Sequence, residues 1–294
     1  MNTITPVKTP VPAPSRPLPP TEPKDMVVAS PEPWEMDGKP LKSWQIASIA
    51  FGAAAGVAAV KVGIGLAAAA SGGAVLAVAG AAFVGYAAAD LASGIYHWAI
   101  DNYPTEKTPV VGAQAKEFQI HHADGDAMGK SNTWYVLSHA AAPLLVPMAA
   151  VAIAAPVAGG VAATAATAGA LAFLGAGWCG QALHRWAHQE HPGAFPRMLQ
   201  KVGLAIKREN HLEHHELQFP ADNYCIINGM WNKTLLRTRF WRKAESLVYR
   251  ITGREPHSWQ NQVVRAEALG LPKPAAPGLI RPYGPEYYKA HGGK

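Results

Sequence analysis

Residues 74–101 read AVLAVAGAAFVGYAAADLASGIYHWAID, a long apolar stretch that ends in polar residues. Its apolar run exceeds the roughly 20 helical residues that cross a hydrocarbon core of about 30 Å, so we predict a membrane-spanning helix at 74–100. The run ends in His97 and Asp101, four residues apart. Side chains at this spacing share one helix face, with Cβ atoms about 5 to 6 Å apart. The stretch therefore predicts a span whose end carries two potential metal ligands.

Three further runs are long and apolar enough to cross a membrane, at about 44–69, 133–155 and 158–183. The chain has 294 residues, and its hydrophobic fraction of 49% comes mostly from alanine-rich runs. Short breaks at 71–73 and 155–160 separate the spans within each pair. We therefore expect an all-α polytopic membrane protein with about four transmembrane helices, in two tight hairpins, and a histidine-rich metal domain on its cytoplasmic face.

The distribution of lysine and arginine predicts the orientation, because these residues are retained on the cytoplasmic side. The hairpin turns contain none, the 101–132 loop contains three and the chain after residue 183 contains seventeen. Both termini and this loop should face the cytoplasm. Without a visible organelle signal, the bacterial inner membrane is the predicted location. The net charge of +6 accompanies no nucleic-acid-binding signature, which favours anionic lipid headgroups over nucleic acid as the partner.

Composition divides the chain into three parts. Residues 1–42 are rich in proline and predict a disordered tail, and residues 261–294 form a proline-rich C-terminal tail. Between them, 43–260 forms the predicted membrane and metal domain, with a histidine-rich cap at 184–230. The stretch 231–253 mixes apolar and basic residues, which is typical of a helix in the headgroup plane, or of a solvated helix packed on the metal domain.

Eight of the twelve histidines fall into four clusters with metal-ligand spacing. The clusters are His97 with Asp101, His121 with His122, His184 with His188, and His211 with His214 and His215 in RENHLEHHE (208–216). One such cluster is as often structural as functional. The predicted topology places all four on the same side of the membrane, which favours a metal site over packing.

The number and type of these side chains indicate two metal ions. Imidazole suits zinc, copper, iron or nickel, whereas a zinc ion takes three or four protein ligands, so eight histidines and a carboxylate are too many for one ion. Cys179 and Cys225 lack CxxC spacing and predict neither a disulfide nor a thiolate site. A nitrogen-rich set at a membrane surface favours a pair of irons that activate O2, and zinc stays chemically possible.

Several other ionisable residues are weaker candidates. Asp90 precedes the first cluster by two helical turns and is either a partner of a ligand or a helix-packing residue. His139 is a ninth ligand or an interfacial residue. We expect His191 to be solvated, and His257 and His291, which lie in the tail, not to be ligands.

The flanking residues carry a family resemblance over about 83–260. ADLASGIYHWAIDNYPTEKTPVVGAQAKEFQIHH (89–122), HRWAH (184–188) and RENHLEHHELQFPADNYCIINGMWN (208–232) resemble the Kua/CarF-type lipid desaturase family. That family includes plasmanylethanolamine desaturases, which form a vinyl ether, and the plastid palmitate desaturase that acts on phosphatidylglycerol. TPVVG, NYCI and the SW pair at 258–259 are more similar to the plastid branch.

The resemblance implies a membrane-bound non-haem di-iron desaturase that uses O2 to introduce a double bond into a phospholipid acyl chain, palmitate on a phosphatidylglycerol-like substrate. The implied iron ligands are His97, His121, His122, His184, His188, His211, His214 and His215, with Asp101 as a ligand or close partner. Electrons must come from outside, from a ferredoxin or a cytochrome with its reductase, because the sequence has no flavin, haem-attachment or iron–sulfur motif.

Three alternatives to acyl desaturation stay open at this point. The first is a plasmanylethanolamine desaturase, and the second is a lipid hydroxylase on the same scaffold. The third, of another class, is a metal transporter or metal sensor. A transport path needs intramembrane charges, and within the four spans only Lys61 and Asp90 precede the terminal Asp101.

Overall fold

A computed structural model describes residues 42–272, apart from residues 124, 158 and 216–221. The residues it describes form eleven α-helices and a short 3-10 helix at His257–Gln260, without a strand among them. Four helices are long and apolar enough to cross a membrane, so the prediction of an all-α fold with four spans is confirmed. The predicted tails at 1–42 and 261–294 lie outside the described residues, except for Lys42 and for 261–272.

The membrane-length helices alternate with shorter ones. The helices are α1 (Lys42–Ala69), α2 (Gly72–Asn102), α3 (Gly112–Ala123), α4 (Gly125–Lys130), α5 (Thr133–Ala154), α6 (Gly160–His188), α7 (Ala194–Lys201), α8 (Arg208–His215), α9 (Asn232–Arg237), α10 (Phe240–Thr252) and α11 (Gln262–Leu269). At about 1.5 Å per residue, the 31 residues of α2 span about 46 Å, which is longer than the hydrocarbon core. The 29 residues of α6 continue past the predicted end at 183, so one unbroken helix carries both His184 and His188.

The long helices pack in an order that the hairpin prediction did not anticipate. α1 packs mainly against α5 and α6, while α2 packs along α6 and hardly contacts α1. The closest approach joins α2 and α6 at Gly85 and Gly169, where a Cβ on Gly85 would lie 2.1 Å from the carbonyl oxygen of Gly169. At Gly56 in α1, by contrast, a Cβ would meet no atom within 4 Å. Small residues therefore allow close packing between α2 and α6.

Lys61 is the single basic residue within the first predicted span, and backbone carbonyl oxygens accept hydrogen bonds from its ammonium group. Its Nζ donates hydrogen bonds to the carbonyl oxygens of Ala152 and Ala155, each at 2.7 Å. These carbonyls belong to the end of α5, where helical C=O groups lack an intrahelical partner and the helix dipole favours a cation. Lys61 thus ties α1 to the end of α5.

The chain after α8 returns to the end of α2. A cluster of aromatic residues joins them: Trp241 stacks on Trp98 with ring centroids 5.7 Å apart and contacts Tyr224 at 4.9 Å. The predicted single helix at 231–253 is two helices, α9 and α10, because Arg239 between them adopts φ 53°. One face of α10 is buried against this cluster and the other is exposed. This arrangement fixes the residues that surround the histidines.

Candidate metal centre

The ends of four helices bring the predicted ligands together. His97 and Asp101 lie in the last turns of α2, and His184 and His188 in the last turns of α6. The remaining ligands come from the end of α3, with His121 and His122, and from α8, with His211, His214 and His215. All nine predicted side chains fall into two groups, and within each group the potential ligand atoms lie within 4.8 Å of one another.

The first group, called the five-imidazole group, contains His121, His184, His188, His211 and His215. The Nε2 atoms of three of them form a triangle: His184 to His211 is 2.8 Å, His211 to His188 is 2.9 Å and His188 to His184 is 3.2 Å. Nε2 of His215 lies 3.0 Å from that of His211 and 3.2 Å from that of His121. Adjacent ligands of a six-coordinate ion with metal–nitrogen bonds of about 2.1 Å lie about 3.0 Å apart. The spacing therefore suits a common ion.

The second group, called the carboxylate group, contains His97, His122, His214 and Asp101. The Nε2 atoms of the three histidines lie 3.2, 3.1 and 3.3 Å from Oδ2 of Asp101. Nε2 of His97 and of His214 is nevertheless buried and makes no hydrogen bond to a described residue. Oδ1 of Asp101 is likewise buried without a partner in the described part of the chain. Buried polar atoms of this kind are rare unless an ion or water satisfies them, so the donor set fits a metal ion.

Burial keeps the imidazoles outside the spans neutral. It lowers the pKa of His121, His211 and His215 well below the usual value, and the neighbouring imidazoles lower it further. Burial also lowers the pKa of His214 to about 3, although the nearby carboxylate of Asp101 acts in the opposite direction. Metal binding requires neutral imidazole, so these residues do not have to release protons at neutral pH.

Backbone contacts fix the end of α2 in a ligating orientation. Nδ1 of His97 lies 3.1 Å from the carbonyl oxygen of Tyr224, which can only accept, so Nδ1 carries the proton and Nε2 has the lone pair. The carbonyl oxygen of Asp101 accepts from Nδ1 of His257 at 2.8 Å and from the amide of Gln119 at 3.1 Å. Such partners orient metal ligands and raise their basicity.

Sequence reasoning missed two of these supports. His257 was not expected to be a ligand and belongs to neither group, but its ring holds the backbone of Asp101, a predicted ligand. Asn102 follows Asp101 and links both sides: its amide donates to the hydroxyl of Tyr224 at 3.1 Å, and its oxygen accepts from the backbone N–H of Ser258 at 2.9 Å. These residues belong to the stretches DNY, NYC and HSW, which resemble the desaturase family named above. That resemblance was the sequence signal that could have identified these supporting residues.

Asp90 supports a loop and does not contact a ligand. Its Oδ1 accepts the backbone N–H groups of Ile227, Asn228 and Gly229 at 3.0 to 3.1 Å. The hydrogen bonds of Asp90 thus support neither a partnership with a histidine ligand nor a role in helix packing alone. The carboxylate instead holds the loop that follows Tyr224.

Two other histidine candidates also lie outside both groups. Nδ1 of His139 lies 3.0 Å from the carbonyl oxygen of Tyr135 one turn earlier in α5, so this histidine bonds within its own helix. His191 is exposed beyond the end of α6. Neither is among the nine side chains of the two groups.

Comparison with known proteins identifies the domain. The model of the lipid desaturase domain family matches residues 86–259. Fatty acid desaturase 4, chloroplastic, of Arabidopsis thaliana is 36% identical over 184 residues, which are 61% of this chain and 54% of that protein. Plasmanylethanolamine desaturase of Myxococcus xanthus is 33% identical over 194 residues, 64% of this chain and 66% of that protein.

The chain spans between half and two thirds of the length of these plant relatives. No solved structure matches the chain. The family match covers more than half of the chain and includes the parts of α2, α3, α6 and α8 that carry the nine side chains. The chain therefore belongs to the lipid desaturase family.

Proposed function

We propose that the protein is a membrane-bound lipid desaturase whose two ligand groups each hold an iron ion. The observation that carries the proposal is the convergence of eight imidazoles and Asp101 at the ends of two membrane-length helices. When bound, two irons would supply O2 chemistry that removes two hydrogens from adjacent carbons of a lipid chain, with water as the other product. Imidazole and carboxylate donors suit iron, and the groups contain no thiolate.

In this proposal the protein's residues hold the ions, supply charge and exclude water. Asp101 contributes the negative charge of its group and lies between three imidazoles. Tyr224, through its carbonyl, sets the tautomer of His97. Seven of the nine side chains belong to residues less than 9% exposed, so competing reactions with bulk water are limited.

The proposed substrate is a phospholipid acyl chain, palmitate on a phosphatidylglycerol-like lipid. The similarity to chloroplastic fatty acid desaturases supports an acyl chain as the substrate. Vinyl-ether formation is the second candidate, because a plasmanylethanolamine desaturase matches a comparable share of the chain. An external donor, a ferredoxin or a cytochrome with its reductase, supplies the electrons.

We also propose that both termini and the metal centre face the cytoplasm. The lysines of the 101–132 loop and the lysines and arginines after α6 support this orientation. The membrane is proposed to be a bacterial inner membrane, and anionic headgroups would contact the basic surface. The names of the plant relatives place those proteins in the chloroplast.

The proposal is tested by the phospholipid profile of a desaturase-free bacterial host that also expresses a compatible electron donor. Mass spectrometry of intact lipids compares the wild type with His184→Ala and His214→Ala, one from each ligand group. His191→Ala, exposed and outside both groups, is the matched control. We expect a species lighter by two hydrogens with the wild type and the control, and none with the ligand variants.

The fragments of that species separate the candidates. An unsaturated acyl fragment supports the proposal, and a vinyl-ether fragment supports the second candidate. A species heavier by one oxygen atom would identify a hydroxylase. An unchanged profile from iron-loaded wild type with its donor present would contradict the proposal.

A further inference from the structure

We propose that α7 and the residues after it, 194–204, lie in the membrane surface, with their apolar face in the lipid of the leaflet next to the metal centre. This surface is distinct from the ligand groups. The inference needs only the four membrane spans, so it does not rest on the proposed activity.

The first observation is an apolar face that the described chain leaves open. α7 has no buried residue. Phe195, Met198 and Val202 are spaced by three and four residues, which places them on one helix face, and they are 59%, 50% and 61% exposed. Arg197 lies on the opposite face and is also exposed. Apolar residues on one face and a cation on the other are typical of a helix in the membrane interface.

The second observation is the depth of this segment. The hydroxyl of Tyr86 donates a 2.6 Å hydrogen bond to the carbonyl oxygen of Leu204, whose side chain is 50% exposed. Tyr86 lies fourteen residues after Gly72, or about 21 Å along α2 at 1.5 Å per residue. A hydrocarbon core of about 30 Å that begins at Gly72 therefore includes Tyr86. Shifting the core toward the ligand end places Tyr86 still deeper.

The third observation is the start of the segment. The ring of Phe195 meets that of Trp186 edge-on at 6.1 Å, and Trp186 lies in the last turn of α6, beside His188. The segment thus descends from the level of the metal ligands to that of Tyr86. Leu199 and Ala205 pack against the apolar cluster between α2 and α6. This packing holds the inner side of the 194–204 segment against the helix bundle, so that the outer side of the segment faces away from the bundle.

The depth of this segment favours lipid as the material that covers its apolar face. At the level of Tyr86, the surroundings of a membrane-spanning bundle are lipid acyl chains. Near the start of the segment, the guanidinium of Arg197 can meet anionic headgroups, which attract basic residues by about 1 kcal/mol each. Water or a second copy of the chain would be the alternative coverings.

The test is a site-specific fluorescent probe on the full-length protein in vesicles of phosphatidylglycerol and phosphatidylcholine. Met198→Cys is labelled with an environment-sensitive fluorophore, and Arg197→Cys on the opposite face is the matched control. Phe195→Cys provides a second position if the first variant fails to fold. Labelled wild type gives the background from Cys179 and Cys225.

We expect blue-shifted emission at Met198, with quenching by acyl-chain nitroxide lipids about twofold or more above that at Arg197, and weaker quenching by aqueous iodide. Equal iodide quenching at both positions would show a solvated face and overturn the proposal. A blue shift without lipid quenching would show contact with another copy and would overturn it as well. The readout needs no turnover, so a failed desaturation assay leaves it unaffected.

Discussion

The end of α2 and the short helix α8 both carry proposed metal ligands, but the protein supports them differently. At the end of α2, the ring of His97 is oriented by the carbonyl of Tyr224, and the backbone of Asp101 is held by His257. On α8, the Nδ1 atoms of His211, His214 and His215 are buried and have no hydrogen-bond partner among the described residues. We infer that the end of α2 is a preformed half of the proposed centre, whereas the order of α8 would depend on bound ions.

The largest expected effect comes from removing the carboxylate on α2. Asp101→Ala leaves three imidazoles facing one another without the anion between them. We expect about one iron per chain in place of about two, and at least about 10³-fold less desaturation, because ligands of one centre act as a unit. Metal analysis and lipid mass spectrometry measure both quantities. Glu190→Ala, an exposed carboxylate beyond α6, is the control, and equal losses in both variants would contradict this role.

Metal removal should separate the two regions directly. In chelator-treated protein, we expect amide hydrogen exchange in α8 to rise by about 100-fold, because its ligands lose the ions that hold them. The last turns of α2 should change by much less. Exchange mass spectrometry of both segments with and without metal gives the comparison, and equal changes would mean that α8 is as well supported as α2.

Acid should weaken α8 in the metal-free protein. Burial lowers the pKa of His211 and His215 well below the ordinary 6.5, and that of His214 to about 3. The folded state thus binds these protons less readily than the unfolded state, so stability present above pH 6.5 is lost as pH falls toward 3. For each imidazole that stays neutral, a pH unit in this window costs at most about 1.4 kcal/mol. Thermal unfolding of apo protein measures the trend, and a flat profile from pH 7 to 4 would contradict it.

A smaller effect is expected at the support of α2. His257→Ala removes the donor to the carbonyl of Asp101 without removing a ligand. We expect about tenfold weaker iron retention against a chelator, since outer partners of metal ligands contribute on that scale. His191→Ala is the matched control. Partial recovery in His257→Gln, which retains a side-chain donor, would distinguish positioning from loss of packing, and wild-type retention in His257→Ala would exclude the role.

The smallest expected effect is at Tyr224. Tyr224→Phe keeps the backbone carbonyl that orients His97 and removes the hydroxyl that accepts from Asn102. We expect a loss of about 1 kcal/mol in the free energy of unfolding and nearly unchanged iron content, because one neutral hydrogen bond is removed. Denaturant titration and metal analysis test both parts. Loss of iron in this variant would assign the hydroxyl a role at the centre.

The sequence predicted the four spans and the nine side chains because both depend on local patterns. It did not predict which of the nine side chains belongs to which of the two ligand groups. The adjacent residues His121 and His122 belong to different groups, as do His214 and His215. Neighbours on a helix point about 100° apart, so adjacent histidines can face two different ions. Which ion each one faces depends on how the four helix ends meet.

The roles that escaped prediction depend on contacts between distant segments. Asp90 resembles an intramembrane site residue in sequence, but its carboxylate receives backbone N–H groups from a loop more than 130 residues later. The close approach of Gly85 and Gly169 likewise depends on the pairing of α2 with α6. Alanine-rich spans offer many equivalent small positions, so their composition does not identify the crossing point.

The metal content of the wild-type protein, purified from iron-supplemented cells and compared with that of Asp101→Ala, would show directly whether the two groups each hold an iron. We expect about two irons per chain in the wild type and about one in the variant. A well-folded wild type that holds a single metal, or zinc without iron, would contradict this expectation.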